Sequence, residues 1–181
     1  MTIKTIHINL LGEPGAGKST LAAGLYYYMK KKFFSVELVT EYAKDLTYEG
    51  VTSSNMDQID VFNEQKNRIK RLEGKVDYII TDSPLSLSAF YASQNPKSKL
   101  LTPVILDVAR EFSNLNFFVN RNHPYDVNGR SQTEEEALLM KGSLRDFLDK
   151  NGISFTDIRA SDELPTWMFH GLFVTKELMK I

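Results

Sequence analysis

The chain has 181 residues, which is enough for one domain with a hydrophobic core. Apolar residues make up 42% and charged residues 25% of the chain, and the formal net charge is −1. This composition argues against a disordered protein and against a globally basic nucleic-acid binder. Because cysteine is absent, a disulfide scaffold, a thiol nucleophile and a thiolate metal site are excluded.

The apolar runs of the sequence are too short to predict a membrane span or a signal peptide. No stretch approaches the roughly 18–20 apolar residues of a membrane span. The apolar run in residues 1–11 is too short for the core of a signal peptide, and Gly-Glu-Pro-Gly follows it at once. We therefore expect a cytoplasmic protein, in the host cytoplasm if a phage encodes it, with no membrane partner.

Strand and helix patterns alternate along the chain. Short β-rich runs predict five strands, at residues 5–11, 36–40, 76–81, 115–119 and 154–158. Helical spacing of apolar residues predicts helices at 18–33, from an N-cap at 53–55 to Gly74, and at 85–93, 102–112 and 133–150. In the long second helix, the expected buried face is Ile59, Phe62, Ile69 and Leu72.

This alternation predicts an α/β fold of three layers, with a five-stranded, mostly parallel sheet between two layers of helices. We expect a single domain over residues 1–181, with a lid at about 121–132 and a carboxyl-terminal extension at about 162–181. That extension could complete the core, cover a sheet edge or bind a second subunit. In such folds, ligands bind at the carboxyl ends of the strands, so the residues that follow each strand are the candidates for function.

After the first predicted strand, Gly-Glu-Pro-Gly-Ala-Gly-Lys-Ser matches the phosphate-loop pattern G-x-x-x-x-G-K-[ST]. Glycine allows a backbone in which successive amides surround phosphate oxygens, and the next helix presents its positive end to the same anion. Lys18 can reach the β- and γ-phosphates, and the Ser19 hydroxyl can bind Mg²⁺. The predicted nucleotide-binding residues here are Gly12, Glu13, Pro14, Gly15, Ala16, Gly17, Lys18, Ser19 and Thr20.

Carboxylates follow the second and third predicted strands. Glu41 could accept a proton from an acceptor hydroxyl, hold Mg²⁺ through water, or be an ordinary surface glutamate. Asp82 ends an apolar strand, where a carboxylate is costly unless it is paired or near a metal. It is therefore a candidate Mg²⁺ residue, and the alternative is a cap for the next helix.

A polar segment, residues 120–132, follows the fourth predicted strand and carries Arg121 and Arg130. Arginines that arrive with a closing lid stabilise the charge of a transferring phosphoryl group and exclude water. The alternative is a plain surface loop. After the fifth strand, the position of Arg159 alone makes it a candidate contact for a nucleobase.

The three histidines have no partner at metal-ligand spacing, so we interpret them structurally. His123 is in the polar segment, and His7 and His170 lie near the two ends of the chain. A histidine in such a loop is usually just exposed to solvent. We therefore assign none of them to the site.

Together these segments resemble the phosphate-loop kinases of small molecules, and more narrowly the group of nicotinamide-riboside kinase domains and phage-type nucleoside and nucleotide kinases. The resemblance covers roughly residues 5–158. It depends on residues 12–20, on Glu41-Tyr42-Ala43-Lys44, which is similar to an E-Y-A-R segment, on the strand that ends at Asp82, and on residues 124–130, which are similar to a P-[WY]…G…R lid segment.

The resemblance implies a P-loop NTPase fold, the cofactors ATP and Mg²⁺, and transfer of the γ-phosphoryl group to a nucleoside or nucleotide. It implies that Lys18 and Ser19 hold phosphate and Mg²⁺, that Asp82 lies near the metal, and that Arg121 and Arg130 are lid arginines. Gln65 is similar to a glutamine that reads the base in deoxynucleoside kinases.

The chain departs from this pattern after the third strand. Deoxynucleoside and thymidylate kinases usually carry an acidic residue followed by arginine there, and the arginine helps to hold the acceptor. Here the pair is Asp82-Ser83, and Arg68 or Arg71 of the long helix could substitute.

Three functions remain open at this point. The first is a kinase of a nucleoside or nucleoside monophosphate, in which Lys18, Arg121 and Arg130 neutralise charge and Glu41 or Asp82 accepts a proton. The second is a kinase of nucleic acid, acting on a modified base or a strand end, which the net charge of −1 disfavours. The third is an ATPase or switch that works through a protein partner. Self-association, including a dimer, is compatible with each.

Overall fold

A computed structural model describes residues 4–52, 55–126, 132–161 and 164–171. The strands are β1 (Ile6–Leu11), β2 (Val36–Val39), β3 (Tyr78–Thr81), β4 (Ser113–Asn120) and β5 (Thr156–Arg159). The helices are α1 (Lys18–Lys31), α2 (Tyr42–Tyr48), α3 (Gln58–Lys70), α4 (Leu85–Gln94), α5 (Thr102–Arg110), α6 (Glu134–Lys150) and α7 (Leu164–Phe169), with a 3-10 turn at Lys99–Leu101.

The five strands form one sheet in the order β2-β3-β1-β4-β5, and every pair of neighbours is parallel. The predicted α/β fold with a parallel five-stranded sheet is therefore confirmed. Because β1 lies at the centre, its carboxyl end is beside those of β3 and β4, with Leu11 in register with Phe118. The loops after these three strands consequently meet at one edge of the sheet.

Both faces of the sheet are covered by apolar side chains, as period-two alternation along buried strands requires. On one face, Ile8 and Leu10 of β1 pack with Leu25 and Met29 of α1. On the other face, the packed side chains come from α3, α4, α5 and α6. These are Phe62, Ile69, Ala89, Phe90, Ile105, Leu106, Leu144 and Leu148. Among the described residues, no helix is long and apolar enough to cross a membrane.

Two expectations for the long helix are wrong. Its N-cap is Asp57, whose side chain accepts a hydrogen bond of 2.8 Å from the backbone N–H of Ile59, so the cap does not lie at 53–55. Residues 53 and 54 are outside the described residues. Phe62 and Ile69 of the expected face are buried, together with Val61 and Gln65, and Leu72 packs against the core beyond the end of α3. Ile59, in the first turn of α3, is 40% exposed.

At the carboxyl-terminal end, α7 packs on α1. A Cβ on Gly24 would lie 2.8 Å from Cγ of Pro165, so a glycine in α1 allows this close approach. Met168 is buried in the core beside α1, in agreement with the core-packing alternative for this segment. The remainder of the extension, residues 172–181, lies outside the described residues.

Candidate functional site

The loops after β1, β2, β3 and β4 surround one cleft at the carboxyl edge of the sheet. The cleft has a volume of about 400 Å³, within the range of small-molecule sites. Its lining comes from the glycine-rich loop, α2, α3, α4 and the segment after β4. The lining residues are Pro14, Gly15, Ala16, Gly17, Lys18, Ser19, Thr20, Glu41, Ala43, Lys44, Thr47, Tyr48, Met56, Gln58, Val61, Ser83, Ser88, Tyr91, Asp126 and Gln132.

The loop between β1 and α1 has a backbone that requires glycine. The φ angles are 143° at Gly12, 79° at Gly15 and 92° at Gly17, values that residues other than glycine rarely adopt. A Cβ on Gly12 would also lie 2.8 Å from the carbonyl oxygen of Val119 in β4. The motif glycines therefore let the loop turn tightly against the sheet, the conformation in which backbone amides form an anion site.

The start of α1 completes this anion site. Its N-cap is Gly17, and no described side chain caps this end, a helix start of the kind that binds anions. Lys18 Nζ donates hydrogen bonds of 2.9 Å to the Gly12 carbonyl and 3.0 Å to the Glu13 carbonyl, which holds the ammonium group over the loop. Ser19 and Thr20 are exposed and line the cleft. The arrangement can bind a polyphosphate.

Asp82 follows β3 and is 3% exposed. Its Oδ1 is buried without a hydrogen-bond partner in the described part of the chain. It does not cap the next helix, because the N-cap of α4 is Pro84 and no side chain bonds to that end. A buried carboxylate with an unpaired oxygen is costly in isolation, so it fits a place beside a cation.

The hydroxyl of Ser19 and the carboxylate of Asp82 are oxygen ligands that suit Mg²⁺ bound together with a nucleotide. Within the described residues, no group of three histidine or carboxylate side chains is arranged to hold a metal ion. Mg²⁺ instead takes one or two protein oxygens and completes its shell with phosphate oxygens and water. The hydroxyl of Ser19 and the unpaired carboxylate of Asp82 meet that requirement.

Glu41 lies at the N-terminus of α2, but its side chain does not cap this helix. Burial raises the pKa of its carboxyl group, and the charge of Lys18 opposes that rise only in part. The charge of Asp82 adds to the rise, so Lys18 and Asp82 act on Glu41 in opposite directions. The Glu41 carboxylate is therefore more basic than that of an exposed glutamate. Burial, with a smaller contribution from Glu41, also raises the pKa of the Tyr91 hydroxyl.

Gln65 positions the segment that carries Glu41. Its Oε1 accepts a hydrogen bond of 3.1 Å from the N–H of Tyr42, and its Nε2 donates one of 3.3 Å to the carbonyl of Thr40. Both polar atoms of this buried side chain are thus bonded to main chain. The side chain is not among the residues that line the cleft, and the base-reading role that the resemblance implied stays a prediction.

The two arginines considered as substitutes for an acceptor-binding arginine face other partners. Arg68 bonds to Glu64 at 3.0 Å and to Asp45 at 2.9 Å. Arg71 pairs with Glu64 at 3.4 Å and is mostly exposed. Neither lines the cleft.

Arg121 follows β4 and is 11% exposed. One terminal nitrogen donates to Glu134 at 2.6 Å, and the guanidinium lies 5.2 Å from the ring centre of Tyr125. The other terminal nitrogen is buried without a hydrogen-bond partner among the described residues. Arg130 lies outside the described residues, and Arg159 is exposed at the end of β5.

His123 is closer to the site than its sequence context indicated. A Cβ on Gly17 would lie 3.1 Å from its Nε2 and 3.5 Å from the Cβ of Ala160. The loops after β4 and β5 therefore both touch the glycine-rich loop. Sequence reasoning missed His123 and Tyr91 because only tertiary contacts bring them there, although the position of His123 after a predicted strand was a usable signal.

The glycine loop, Lys18 and the strand-end carboxylate of Asp82 on a five-stranded parallel sheet define a P-loop nucleotide-binding domain. The chain belongs to the family described as AAA domain, whose model matches residues 7–163. No curated protein matches the chain significantly.

Solved structures share its fold. The NadR protein in complex with NR aligns with a TM-score of 0.63 at 14% identity, over 89% of this chain and 44% of that one, so the chain spans less than half of NadR. Thymidylate kinase from Candida albicans aligns with a TM-score of 0.55 at 15% identity, over 96% and 93% of the two chains. Thymidylate kinase from Ehrlichia chaffeensis gives 0.54 at 17% identity, over 88% and 89%.

Proposed function

We propose that the chain is a kinase that transfers the γ-phosphoryl group of ATP, with Mg²⁺, to a nucleoside or a nucleoside monophosphate. The observation that carries this proposal is the buried, unpaired carboxylate of Asp82, which follows β3, the strand paired with β1, whose own loop bears Lys18. Two solved structures with this fold are named thymidylate kinases, and a third is in complex with NR, which supports an acceptor of nucleoside type.

In this proposal, catalysis is by positioning and charge neutralisation. The glycine loop and the first turn of α1 bind the phosphates, and Lys18 moves from its carbonyl partners to phosphate oxygens. Ser19 and Asp82 would hold Mg²⁺, which when bound would neutralise charge on the β- and γ-phosphates. Glu41 orients the acceptor and takes its proton if the acceptor is a hydroxyl.

Arg121 has a defined part in this proposal. Its unpaired nitrogen is a donor with no partner in the described protein, and its other nitrogen is bound to Glu134 on α6. A γ-phosphoryl group would supply the missing acceptor. The guanidinium would then neutralise charge that develops in the transition state. We propose the same role for Arg130.

The test is turnover of Mg-ATP with a panel of nucleosides and nucleoside monophosphates, analysed by mass spectrometry. Lys18→Ala should lower turnover at least about 100-fold with an unchanged circular dichroism spectrum. Lys30→Ala is the matched control, because Lys30 lies at the other end of α1 and forms an exposed ion pair with Glu37 of β2. Wild-type turnover in Lys18→Ala would refute the proposal.

A further inference from the structure

An ion pair joins the glycine-rich loop to α6. Glu13, the second residue of the loop, is 1% exposed, and its Oε1 lies 3.9 Å from Nζ of Lys141. Its Oε2 is buried without a hydrogen-bond partner within the described ranges. A buried carboxylate is costly unless a positive charge compensates it. Lys141 is a cation in a position to do so.

Lys141 lies in the buried stripe of α6. Ala137, Leu144 and Leu148 are the buried residues of this helix, and Lys141 is about one turn from both Ala137 and Leu144. Its side chain is 28% exposed. A lysine in such a stripe usually covers apolar surface with its stem and keeps its ammonium group in water. Here the ammonium group also lies near a buried carboxylate, which indicates a role for its charge.

The packing of α6 against β1 keeps the two charges together. Leu11 at the end of β1 and Leu144 of α6 belong to the same buried apolar cluster. Glu13 follows Leu11 by two residues, and Lys141 precedes Leu144 by about one helical turn. The packing of helix and strand therefore places α6 beside the start of the glycine-rich loop.

The main chain of Glu13 is part of the proposed phosphate site. Its carbonyl accepts hydrogen bonds of 3.0 Å from Lys18 Nζ and 3.2 Å from the N–H of Ala16. Neither Glu13 nor Lys141 is among the described residues that line the cleft. The negative charge of Glu13 would nevertheless repel a polyphosphate on the same loop, because charges interact over several ångströms in a protein interior. A neutralising cation removes that repulsion.

Asp157 of β5 is a second carboxylate near Lys141, but it has its own cation. Arg145, about one turn further along α6, donates two hydrogen bonds to its carboxylate. These bonds are the largest cause that lowers the pKa of Asp157, and the charge of Lys141 contributes less. Arg145 therefore compensates Asp157, and Lys141 is the cation at ion-pair distance from Glu13 in the described part of the chain.

We infer that Lys141 is a positioning residue for the nucleotide, because it neutralises Glu13 and so allows the glycine-rich loop to accept a polyphosphate. This inference rests on the proposed function. Lys141 acts through Glu13 and the loop, without touching the phosphates. Its contribution to nucleotide binding should therefore disappear once residue 13 is made neutral.

The experiment uses Lys141→Met, Glu13→Gln and the double variant, each in the full chain. Isothermal titration calorimetry measures the Kd for the β,γ-imido analogue of ATP with Mg²⁺. We expect Lys141→Met to raise this Kd at least about 10-fold, because it leaves the carboxylate uncompensated. Glu13→Gln keeps the shape of the buried side chain, and in the double variant it should return the Kd to within about 2-fold of the wild type.

Lys150→Met is the control, because it removes the same charge from the exposed last residue of α6 and should keep the wild-type Kd. An unchanged Kd in Lys141→Met, or a loss that Glu13→Gln does not restore, would overturn the inference. A merely structural role, which would also overturn it, predicts a lower melting temperature with the same Kd for the folded protein. A wild-type protein that binds no ATP analogue would overturn the proposed function and this inference with it.

Discussion

Buried polar groups in two regions of the same sheet differ in how many of their hydrogen bonds are formed within the protein. Around the glycine-rich loop, three buried polar atoms have no hydrogen-bond partner in the described chain: Oε2 of Glu13, Oδ1 of Asp82 and one terminal nitrogen of Arg121. In and just before β1, the buried side chains of Thr5, His7 and Asn9 bond to other side chains or to main chain, although the Ser86 hydroxyl in the same cavity as His7 and Asn9 has no partner in the described chain. The unpaired groups near the glycine-rich loop are the charged ones, which a charged ligand could complete.

The satisfied region consists of Thr5, His7 and Asn9, whose side chains are at most 3% exposed. Asn9 Nδ2 donates to Oδ1 of Asn114 at 2.8 Å and to Oδ1 of Asn116 at 2.9 Å. Thr5 Oγ1 donates to the Val76 carbonyl and accepts from the Gly74 N–H. His7 bonds to Glu73 at 2.6 Å. This network links neighbouring strands and the end of α3, so its value is structural.

The largest expected effect is at Asp82. Asp82→Asn should lower Mg²⁺-dependent turnover roughly 100-fold or more, because the carboxylate is the proposed metal partner. The same variant should raise the melting temperature of the ligand-free protein, since a neutral amide is less costly to bury than a carboxylate with an unpaired oxygen. Enzyme assay and thermal melting measure the two effects. A lower melting temperature would show that Asp82 is already stabilised within the protein.

The next largest effect is expected for a substitution in the glycine-rich loop. Gly12→Ala should reduce the free energy of unfolding by about 2 kcal/mol or more, because the new Cβ would meet the Val119 carbonyl at a positive φ. Gly142→Ala is the control: it has open space around it in α6, and alanine should stabilise that helix by up to about 1 kcal/mol. Urea denaturation compares them. Equal stabilities would contradict the close approach of the loop to β4.

In the hydrogen-bonded region around Asn9, a substitution should change the stability of the protein but not its activity. Asn9→Ala removes the donor that two asparagine oxygens share, and we expect it to cost about 1–3 kcal/mol of unfolding free energy. Turnover per folded molecule should equal that of the wild type. A lower kcat in Asn9→Ala would break the division between a structural and a functional polar region.

The smallest effect is a pH dependence of stability from His7. Burial lowers the pKa of His7 below 6.5 more than Glu73 raises it, so the folded state favours the neutral imidazole. This contribution is fully present above pH 6.5 and is lost as the pH falls toward the folded pKa. His7→Gln should therefore flatten the decline in melting temperature between about pH 7 and pH 5. If the melting temperature of His7→Gln declines as much as that of the wild type, groups other than His7 cause the decline.

Much of the fold could be predicted because its signals are local. Five apolar runs with helical patterns between them predict a parallel sheet, and the spacing of three glycines and Lys18 predicts the phosphate loop. Helix α2 was missed, since it has only seven residues and none of them is buried. The start of α3 was placed too early because Ser53 and Asn55 are also good caps, and only the fold selects Asp57.

The sequence by itself determined which residues follow each strand, and therefore the candidates Lys18, Glu41 and Asp82, because backbone periodicity and glycine requirements depend on near neighbours. The tertiary structure decided their surroundings. It left an oxygen of Asp82 unpaired, brought His123 to Gly17, and paired the arginines near the cleft with carboxylates of other segments. Electrostatic surroundings depend on distance in space, so the charges around Lys18, Glu41 and Asp82 could not be read from positions along the chain.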